Sequence, residues 1–401
     1  MKRALRQVLK NKGAPGIDGM TVEELPGYLK RHWPEIKALL LSGQYRPLPV
    51  LRTEIKKPDG GLRPLGIPTV LDRVIQQAIA QVLDVIWDQT FSEFSYGFRK
   101  ERSQHMAIQQ AKSYIKEGHM FVVDLDLEKF FDRVNHDRLM SRLSTRVPDK
   151  RVLKLIGAIL RSGVMIGGLC EPTEEGTPQG GPLSPLMSNI VLDELDKELE
   201  RRGLHFVRYA DDCVIYVKSK SAGDRVKESI SRFIARKLKL KVNEAKSCVT
   251  QPGYTKYLGF GFTISKTNPK IRIHSKSLKR FRERVREITV RTRGYSIQRV
   301  IAELNEYIRG WWAYFSHCEA RTCLVELNAW VIRRLRAYIW KQWKLPRTRV
   351  CELIKRGISQ YWAVKVGTTR KGVWRLSENT TVAKALPVAY FCKQLGLVLP
   401  G

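Results

Sequence analysis

Residues 206–217 (FVRYADDCVIYV) form two apolar, β-branched and aromatic runs that meet at Asp211 and Asp212. This pattern predicts a tight β-hairpin with carboxylates at its tip. Two adjacent carboxylates between core strands repel each other, so we expect a cation to hold them. Mg²⁺ is the expected cation because it prefers hard oxygen ligands. An Asp-Asp turn in an ordinary surface hairpin is the alternative.

A second apolar run, residues 121–127 (FVVDLDL), also ends in acids. It predicts a buried strand, and the two-residue period of a strand puts Asp124 and Asp126 on one face. A buried strand that ends in carboxylates is hard to explain without a cation. The pattern therefore favours a metal site here over an ordinary strand.

An alternating run also begins at Val50 and returns through residues 62–65 after a strong turn signal at 56–61. The pattern predicts a β-hairpin whose turn is flanked by Lys57 and Arg63. Two cations facing the same way suit the phosphates of an incoming nucleotide. A solvated basic turn is the simpler alternative.

Helical periodicity predicts an amphipathic helix over 72–86, with four residues on its buried face: Val74, Ala78, Val82 and Val85. A second helix is predicted from Ser184, as its cap, to Gly203, and a third over 224–240. Residues 256–262 predict a strand pair whose glycines allow close approach of another backbone.

The last third of the chain has a different pattern. Three Arg-rich helices are predicted over 275–291, 296–316 and 320–343, with most of their aromatic residues in the core of a bundle. Their arginines form either a solvated face or a duplex-binding surface. Residues 350–401 predict short mixed elements.

Two loops are candidates for contact with nucleic acid. Residues 11–19 contain three glycines and are either a simple interhelix loop or a place where the backbone approaches nucleic acid. Residues 94–102 interleave aromatics with arginine, including Tyr96 and Arg99. That pattern is typical of contact with single strands, although a packed aromatic loop explains it equally well.

Charge narrows the choice of partner. The 401-residue chain has a formal net charge of +33, which indicates a polyanion, nucleic acid above all, as partner. Residues 266–401 hold 29 basic residues against 8 Glu and no Asp. A ribosome-like structural protein is the alternative.

The seven cysteines follow no metal-site spacing, and no signal peptide or membrane span is predicted, so we expect a cytoplasmic protein.

Several motifs occur together and in order: VVDLDLEKFFDRVNHDRL, GTPQGGPLSP, FVRYADDCVIYV, LKLKVNEAKS and YLGF. They resemble the reverse transcriptases encoded by group II introns. RPLGIPTVLDRVIQQA and SYGFRKERS are similar to finger motifs of that family, NKGAPGIDG to its N-terminal extension, and RGWWAYF to its thumb or maturase-specific region. The compact length resembles the bacterial class without an endonuclease domain.

The resemblance implies an α+β right-hand polymerase fold of fingers, palm with an antiparallel sheet, and helical thumb. The expected parts are fingers and palm with the N-terminal extension over 1–265, a thumb or maturase-specific region over 266–345, and a basic C-terminal part over 346–401.

The resemblance also implies roles for single residues. Asp126, Asp211 and Asp212 match the metal-binding acids, Leu127 supplies a backbone carbonyl ligand, and Asp124 takes the place of Asp126 if the register is shifted by two. The residues that match the nucleotide site are Lys57, Arg63, Phe131 and Gln179. Contacts to nucleic acid are expected from Tyr96, Arg99, Lys246 and Gly259.

The implied chemistry is RNA-directed DNA synthesis with two Mg²⁺ ions, for which Mn²⁺ can substitute. The expected partners are an RNA template, its RNA/DNA duplex with the primer, dNTPs and structured intron RNA whose splicing and retrohoming the protein assists. Two alternatives stay open: a host-adopted reverse transcriptase in repair or phage defence, and a splicing maturase with a vestigial polymerase. The intact set of acids argues against the second.

Overall fold

The computed structural model describes residues 1–56, 60–166, 169–172, 175–177, 180–265 and 267–401. These residues divide into two compact units, Met1–Thr255 and Lys256–Gly401, called here the first and second units. Lys57 and Gln179 lie outside the described residues, and so does the side chain of Arg63. The predicted three-part division of the chain stays a prediction.

The first unit mixes helices and strands. Its helices are α1 (Lys2–Asn11), α2 (Leu25–Ser42), α3 (Val70–Trp87), α4 (Gln104–Lys116), α5 (His136–Ser144), α6 (Lys150–Leu160), α7 (Ser184–Arg201) and α8 (Lys220–Phe233). Its strands are β1 (Val50–Lys56), β2 (Leu62–Ile67), β3 (Phe121–Leu125), β4 (Val164–Ile166), β5 (Leu169–Glu171), β6 (His205–Tyr209), β7 (Asp212–Val217) and β8 (Cys248–Thr250).

The main sheet has the strand order β6-β7-β3-β8, and every neighbouring pair is antiparallel. The predicted strand at 121–127 and hairpin at 206–217 are confirmed as β3 and as β6 with β7. One face of this sheet is apolar and packs in the large core with helices α7 and α8; it includes Val123, Leu125, Cys213, Ile215 and Val217.

A second sheet has the order β2-β1-β4-β5. The hairpin predicted at 50–65 is confirmed as β1 and β2, which pair antiparallel from Leu51–Ile67 to Lys56–Leu62. Strand β1 also pairs in parallel with β4, so the hairpin is continuous with the segment that follows α6.

Helix α3 begins after Thr69, whose hydroxyl accepts a hydrogen bond from the Asp72 backbone at 3.1 Å. The predicted buried stripe of this helix is wrong at two of its four positions, because Val82 and Val85 are 63% and 58% exposed. The buried face instead runs through Val70, Val74, Ile75, Leu83 and Trp87. Apolar residues occupy both faces of α3, so periodicity alone selected the wrong side.

The prediction that Ser184 is the N-cap of α7 is corrected. Ser184 is the first residue of the helix, and the N-cap residue is Leu183. Pro185 lies in the first turn of the helix, where the missing N–H costs nothing. The predicted stop is confirmed, since Gly203 adopts φ +66° just after the helix ends.

The loop at 11–19 is anchored to the start of α3. A Cβ on Gly16 would lie 2.6 Å from the Thr69 Cα, and the Arg73 guanidinium donates a hydrogen bond to the Ala14 carbonyl. A glycine at position 16 therefore allows the loop to pack closely against the backbone at Thr69.

The second unit consists mainly of helices. Its strands are β9 (Phe260–Phe262) and β10 (Ile271–Ile273), and its helices are α9 (Ser275–Ile288), α10 (Ile297–Phe315), α11 (Thr322–Gln342), α12 (Pro346–Lys355), α13 (Gln360–Gly367), α14 (Val373–Leu376) and α15 (Thr380–Ala385). The three predicted Arg-rich helices are confirmed as α9, α10 and α11.

Two predictions for the second unit are corrected. Strand β9 pairs with β10, whereas Tyr257 and Phe260 only bridge a turn, so residues 256–262 are not a strand pair. Residues 350–401 form short helices that complete the apolar core of the unit. Several helix aromatics lie in that core as expected, among them Tyr338 and Trp340. Among the described helices, none is both long and apolar enough to cross a bilayer.

Candidate active site

The register of β3 and β7 brings the predicted acids to one place. The ladder runs from Phe121–Val217 to Leu125–Cys213. The next residues along the two chains, Asp126 and Asp212, are therefore cross-strand neighbours at the end of the ladder. Asp124 lies two residues before Asp126, on the same face, and that face is opposite the apolar core.

Asp211 lies in the two-residue turn that joins β6 to β7. Tyr209 and Asp212 form the last pair of this hairpin, which leaves Ala210 and Asp211 as the turn. Ala210 adopts φ +58°, an uncommon conformation for a residue with a Cβ. Asp211 is half-buried, whereas Asp212, the first residue of β7, is exposed, so the two adjacent carboxylates lie in different environments.

The other acids on this face differ in burial. Burial, and then the charge of Asp126, raise the pKa of Asp124 to about 6. The Asp126 side chain is 38% exposed, and its carboxylate lies 3.9 Å from the Lys246 ammonium. Asp124 lies within the ladder, opposite Val214 and Cys248, whereas Asp126 follows the strand end. This difference favours Asp126 over Asp124 as an accessible ligand.

The backbone around Asp126 is fixed by the segment before β8. The Asn243 N–H donates to the Asp126 carbonyl at 2.8 Å, and the Glu128 N–H donates to the Lys241 carbonyl at 2.8 Å. These two bonds flank the bridge between Leu127 and Val242. In such a pair the N–H and C=O of the central residue are directed away from its partner, so the Leu127 carbonyl does not point at Val242.

The donor set suits a cation that also binds substrate. Within the described part of the chain, no three His, Cys, Asp or Glu side chains form a ready-made metal cage. Mg²⁺ in nucleotide-processing sites is usually held by one or two carboxylates together with substrate phosphates. Asp126, Asp211 and Asp212, on one strand end and one turn, fit that arrangement.

A cavity of about 270 Å³ lies beside Phe131 in the first unit. It is bounded by the β1–β2 hairpin, including Arg52 and Pro64, and by residues 175–177. Phe131 itself is 8% exposed and meets Phe130 edge to face at 5.2 Å between ring centroids. Of the predicted nucleotide-site residues, Phe131 lines this cavity, whereas Lys57, Gln179 and the side chain of Arg63 lie outside the described residues.

The predicted nucleic-acid contacts Tyr96 and Arg99 are both largely buried. The Arg99 guanidinium bonds to Asp88 at 2.7 Å and to the carbonyls of Ser92 and Ser95 at 2.6 and 3.0 Å. Tyr96 is 5% exposed. Their contact with nucleic acid stays a prediction, and the described contacts give Arg99 a role in holding residues 88–99 together.

The other two predicted contacts differ in exposure. Lys246 keeps 65% of its side-chain surface exposed while its ammonium lies near Asp126. Gly259 adopts φ +83° in the second unit, and its carbonyl accepts bonds from the His274 N–H at 3.1 Å and the Ser277 hydroxyl at 2.8 Å. The Gly259 backbone is thereby tied to the start of α9.

A group of buried polar residues beneath the turn was not predicted from the sequence: Ser95, Asn189, Asp196 and Arg208. The available signal was Arg208 itself, a cation inside the apolar run FVRY. Arginine is almost never fully buried unless it is paired, so this position called for a partner.

Two family models match the chain. Reverse transcriptase (RNA-dependent DNA polymerase) matches residues 55–262, which is more than half of the chain, and the group II intron maturase-specific domain matches residues 278–362. The first domain indicates an RNA-directed DNA polymerase that depends on divalent metal. Together the domains indicate binding of RNA templates and of intron RNA.

Parts of the chain are similar to known proteins. Protein YkfC of Escherichia coli (strain K12) is 34% identical over 62% of this chain and 75% of its own length. Group II intron-encoded protein LtrA of Lactococcus lactis subsp. cremoris is 30% identical over 66% of this chain, and the match spans 55% of LtrA. A chain of the partial Cas6-RT-Cas1–Cas2 complex covers 59% of this chain and 41% of its own at 25% identity, with a TM-score of 0.36 that is too low to support an argument. On the domain matches, the chain belongs to the group II intron reverse transcriptases, a family of RNA-directed DNA polymerases that assist the splicing of intron RNA.

Proposed function

We propose that this chain extends a primer on an RNA template at Asp126, Asp211 and Asp212, with two Mg²⁺ ions as cofactors and Mn²⁺ as a substitute. The register of the main sheet carries the proposal, because Asp126 and Asp212 are cross-strand neighbours and Asp211 lies in the adjoining turn. The Leu127 carbonyl is the proposed backbone ligand.

Bound at these acids, the ions would activate the primer 3′-hydroxyl and neutralise charge on the pyrophosphate leaving group. The role of the protein itself is to position these groups. The backbone of Asp126 is fixed by Asn243 and by the Ser247 hydroxyl, which accepts from the Asp126 N–H at 3.0 Å. Lys246 offsets part of the repulsion among the acids, and its exposed ammonium can contact a phosphate of the template or primer.

The cavity beside Phe131 is the proposed site for the sugar and triphosphate of an incoming dNTP. Its rim joins the hairpin that carries Lys57 and Arg63 to the segment that leads to Gln179. Cations at the triphosphate, a ring beneath the sugar and a polar side chain beside the new base pair are complementary to the three parts of a nucleotide.

For the rest of the chain we propose the division made from the sequence: fingers and palm over 1–265, a thumb over 266–345 and a basic C-terminal part over 346–401. The basic second part would bind the template–primer duplex and intron RNA by their phosphates. The duplex contacts include Tyr96, Arg99 and Gly259. We place the protein with RNA in the cytoplasm and give it a role in splicing and retrohoming of its intron. A host-adopted role is not favoured, since the maturase-specific domain and LtrA point to an intron.

Primer extension on a poly-rA template tests the proposal. Asp211→Ala and Asp212→Ala are each expected to abolish synthesis and leave RNA binding nearly unchanged. Asp224→Ala is the matched control, because Asp224 is an exposed acid on α8 of the same unit. Substantial synthesis by a folded Asp211→Ala protein would overturn the assignment.

A further inference from the structure

We propose that Arg208 is a positioning residue for polymerisation: its buried guanidinium fixes the backbone of the Ala210–Asp211 turn and thereby the two carboxylates at its tip. The inference rests on the proposed function, since it matters to synthesis only if Asp211 and Asp212 are catalytic.

The first observation is a fully buried ion pair. Arg208 in β6 and Asp196 in α7 both have side chains that are 0% exposed. The guanidinium meets the carboxylate in a two-pronged contact, with bonds of 2.7 and 2.5 Å from two of its nitrogens. Replacing a buried ion pair by apolar residues of similar size is often neutral or stabilising. Stability alone therefore does not explain the charges.

The second observation is where the remaining donors of the guanidinium point. One nitrogen donates to the Ala210 carbonyl at 2.9 Å and to the Asn189 side-chain oxygen at 3.0 Å. Another donates to the Ser95 hydroxyl at 2.7 Å. The Ala210 carbonyl belongs to the peptide that links Ala210 to Asp211, so this bond fixes the plane from which the Asp211 side chain starts.

The third observation is that the turn needs such support. Ala210 holds φ +58°, a left-handed conformation that is unfavourable for a residue with a Cβ. Strained conformations of this kind persist only where the surroundings over-determine them. The Arg208 bond to the Ala210 carbonyl supplies one such restraint.

The loop at 94–97 supplies the others. The Arg208 N–H donates to the Phe94 carbonyl and the Tyr96 N–H donates to the Arg208 carbonyl, both at 2.9 Å. The Asn189 amide donates to the Gly97 carbonyl at 2.9 Å. One guanidinium thus ties the turn to α7 and to this loop. A lysine cannot replace it, because an ammonium lacks the planar fork that reaches five acceptor oxygens on four residues.

A neighbouring ion pair, between Asp193 of α7 and Arg142 of α5, provides a matched control. Asp193 is 0% exposed and bonds to Arg142 at 2.7 Å. It lies one turn before Asp196 on the same helix, and neither partner has a described hydrogen bond to residues 209–212. Loss of that pair perturbs α7 without releasing the turn.

The experiment compares Arg208→Lys, Arg208→Met/Asp196→Leu and the control Arg142→Met/Asp193→Leu in the full chain. Single-turnover incorporation of one dNTP is measured against Mg²⁺ concentration, below the melting temperature of each variant. We expect both Arg208 variants to lose about 10- to 100-fold in maximal rate, to require more Mg²⁺ and to keep RNA affinity, as for residues that orient metal ligands. The control keeps the wild-type rate and Mg²⁺ dependence.

Wild-type rate and Mg²⁺ dependence in a folded Arg208→Met/Asp196→Leu protein would overturn the inference, as would an equal loss in the control. If the double variant does not fold, Arg208→Lys decides on the same two measurements. Asp211→Ala, run in parallel, separates this failure from that of the proposed function. If Asp211→Ala still synthesises DNA, both the proposed function and the positioning role are wrong. If Asp211→Ala is inactive and the Arg208 variants are unaffected, only the positioning role is wrong.

Discussion

The backbone of Gly97 packs directly against the backbone of Ala210. A Cβ on Gly97 would overlap the Ala210 nitrogen and lie 2.9 Å from the carbonyl carbon of Tyr209. A side chain at position 97 therefore has to push away the turn that carries Asp211.

We expect Gly97→Ala to lower the rate of primer extension by a larger factor than its loss in the free energy of unfolding would explain. Overpacking of this kind costs about 1–3 kcal/mol, and a displacement of the catalytic groups by about 1 Å can cost roughly 100-fold in rate. Gly27→Ala is the control, because Gly27 lies in α2 with no atom within 4 Å of its Cβ position. Denaturant unfolding and primer extension are measured on both variants. A Gly97→Ala protein with wild-type extension would show that the turn tolerates displacement.

Phe131 is expected to exclude ribonucleotides. Phe131 lines the cavity between the β1–β2 hairpin and residues 175–177. A bulky ring beneath the incoming sugar would leave no room for a 2′-hydroxyl, and the ring itself offers that hydroxyl no hydrogen-bond partner. An unpaired buried hydroxyl costs on the order of 1–3 kcal/mol. We therefore expect Phe131→Ala to keep measurable DNA synthesis and to raise the efficiency of rNTP relative to dNTP incorporation about 10- to 100-fold.

Phe130 provides the comparison for that measurement. It is 2% exposed and belongs to the core beside Phe131, so Phe130→Ala is expected to lower stability by about 3–5 kcal/mol and leave the ratio of rNTP to dNTP use unchanged. An unchanged ratio in a folded Phe131→Ala protein would place the sugar selection elsewhere.

The runs of apolar, β-branched and aromatic residues were sufficient to predict β3, β6 and β7, because these strands are buried over most of their length. Periodicity failed on α3, where Val82 and Val85 are exposed and Leu83 is buried, since apolar residues occur on both sides of that helix. The partner of Arg208 could not be identified from the sequence. That partner, Asp196, is twelve residues away on another element, and only the packing of α7 under β6 brings the two together.

The acids of the site were predictable for a related reason. Asp126 and Asp212 each adjoin an apolar run, so their position at the end of a strand can be predicted from the sequence alone. Their pairing across the sheet depends on register, which the sequence did not contain. The tie between residues 126–128 and residues 241–243 was equally hidden, because it joins segments more than a hundred residues apart.

Glu198, near the end of α7, is expected to stabilise the fold at neutral pH. Hydrogen bonds from Arg201, and then from Arg202, lower the pKa of its carboxyl to about 2. A carboxyl with a lowered folded-state pKa stabilises the fold fully above its unfolded value of about 4.3, and this contribution is lost as the pH falls toward 2.

Glu198→Gln should therefore lower the free energy of unfolding at pH 7 by on the order of 1 kcal/mol or less, and the difference from wild type should shrink at pH 3. Urea unfolding at the two pH values measures it. Glu228→Gln is the control, because Glu228 is 72% exposed and, among the described residues, its ion pair is with Arg232 alone, at 3.3 Å. A difference from wild type that grows on acidification would contradict the sign.

Binding of RNA by the second unit is expected to depend on cations that no acid neutralises. Lys276 and Arg280 lie on exposed positions of α9, and neither forms an ion pair within the described ranges of the chain. Each phosphate contact that is lost reduces the slope of log affinity against log salt by roughly 1. We expect Lys276→Gln/Arg280→Gln to weaken binding of intron RNA and to lower that slope by up to about 2.

The matched control removes the same charge from the first unit. Arg151 and Arg232 are exposed but already paired, with Asp149 at 2.9 Å and Glu228 at 3.3 Å. Arg151→Gln/Arg232→Gln is expected to leave the slope nearly unchanged, because a cation that is already neutralised releases few counterions when it meets a phosphate. Filter binding of both proteins between about 50 and 200 mM salt decides the matter. Equal slopes for the two double variants would mean that net charge, and not the α9 surface, sets the affinity for RNA.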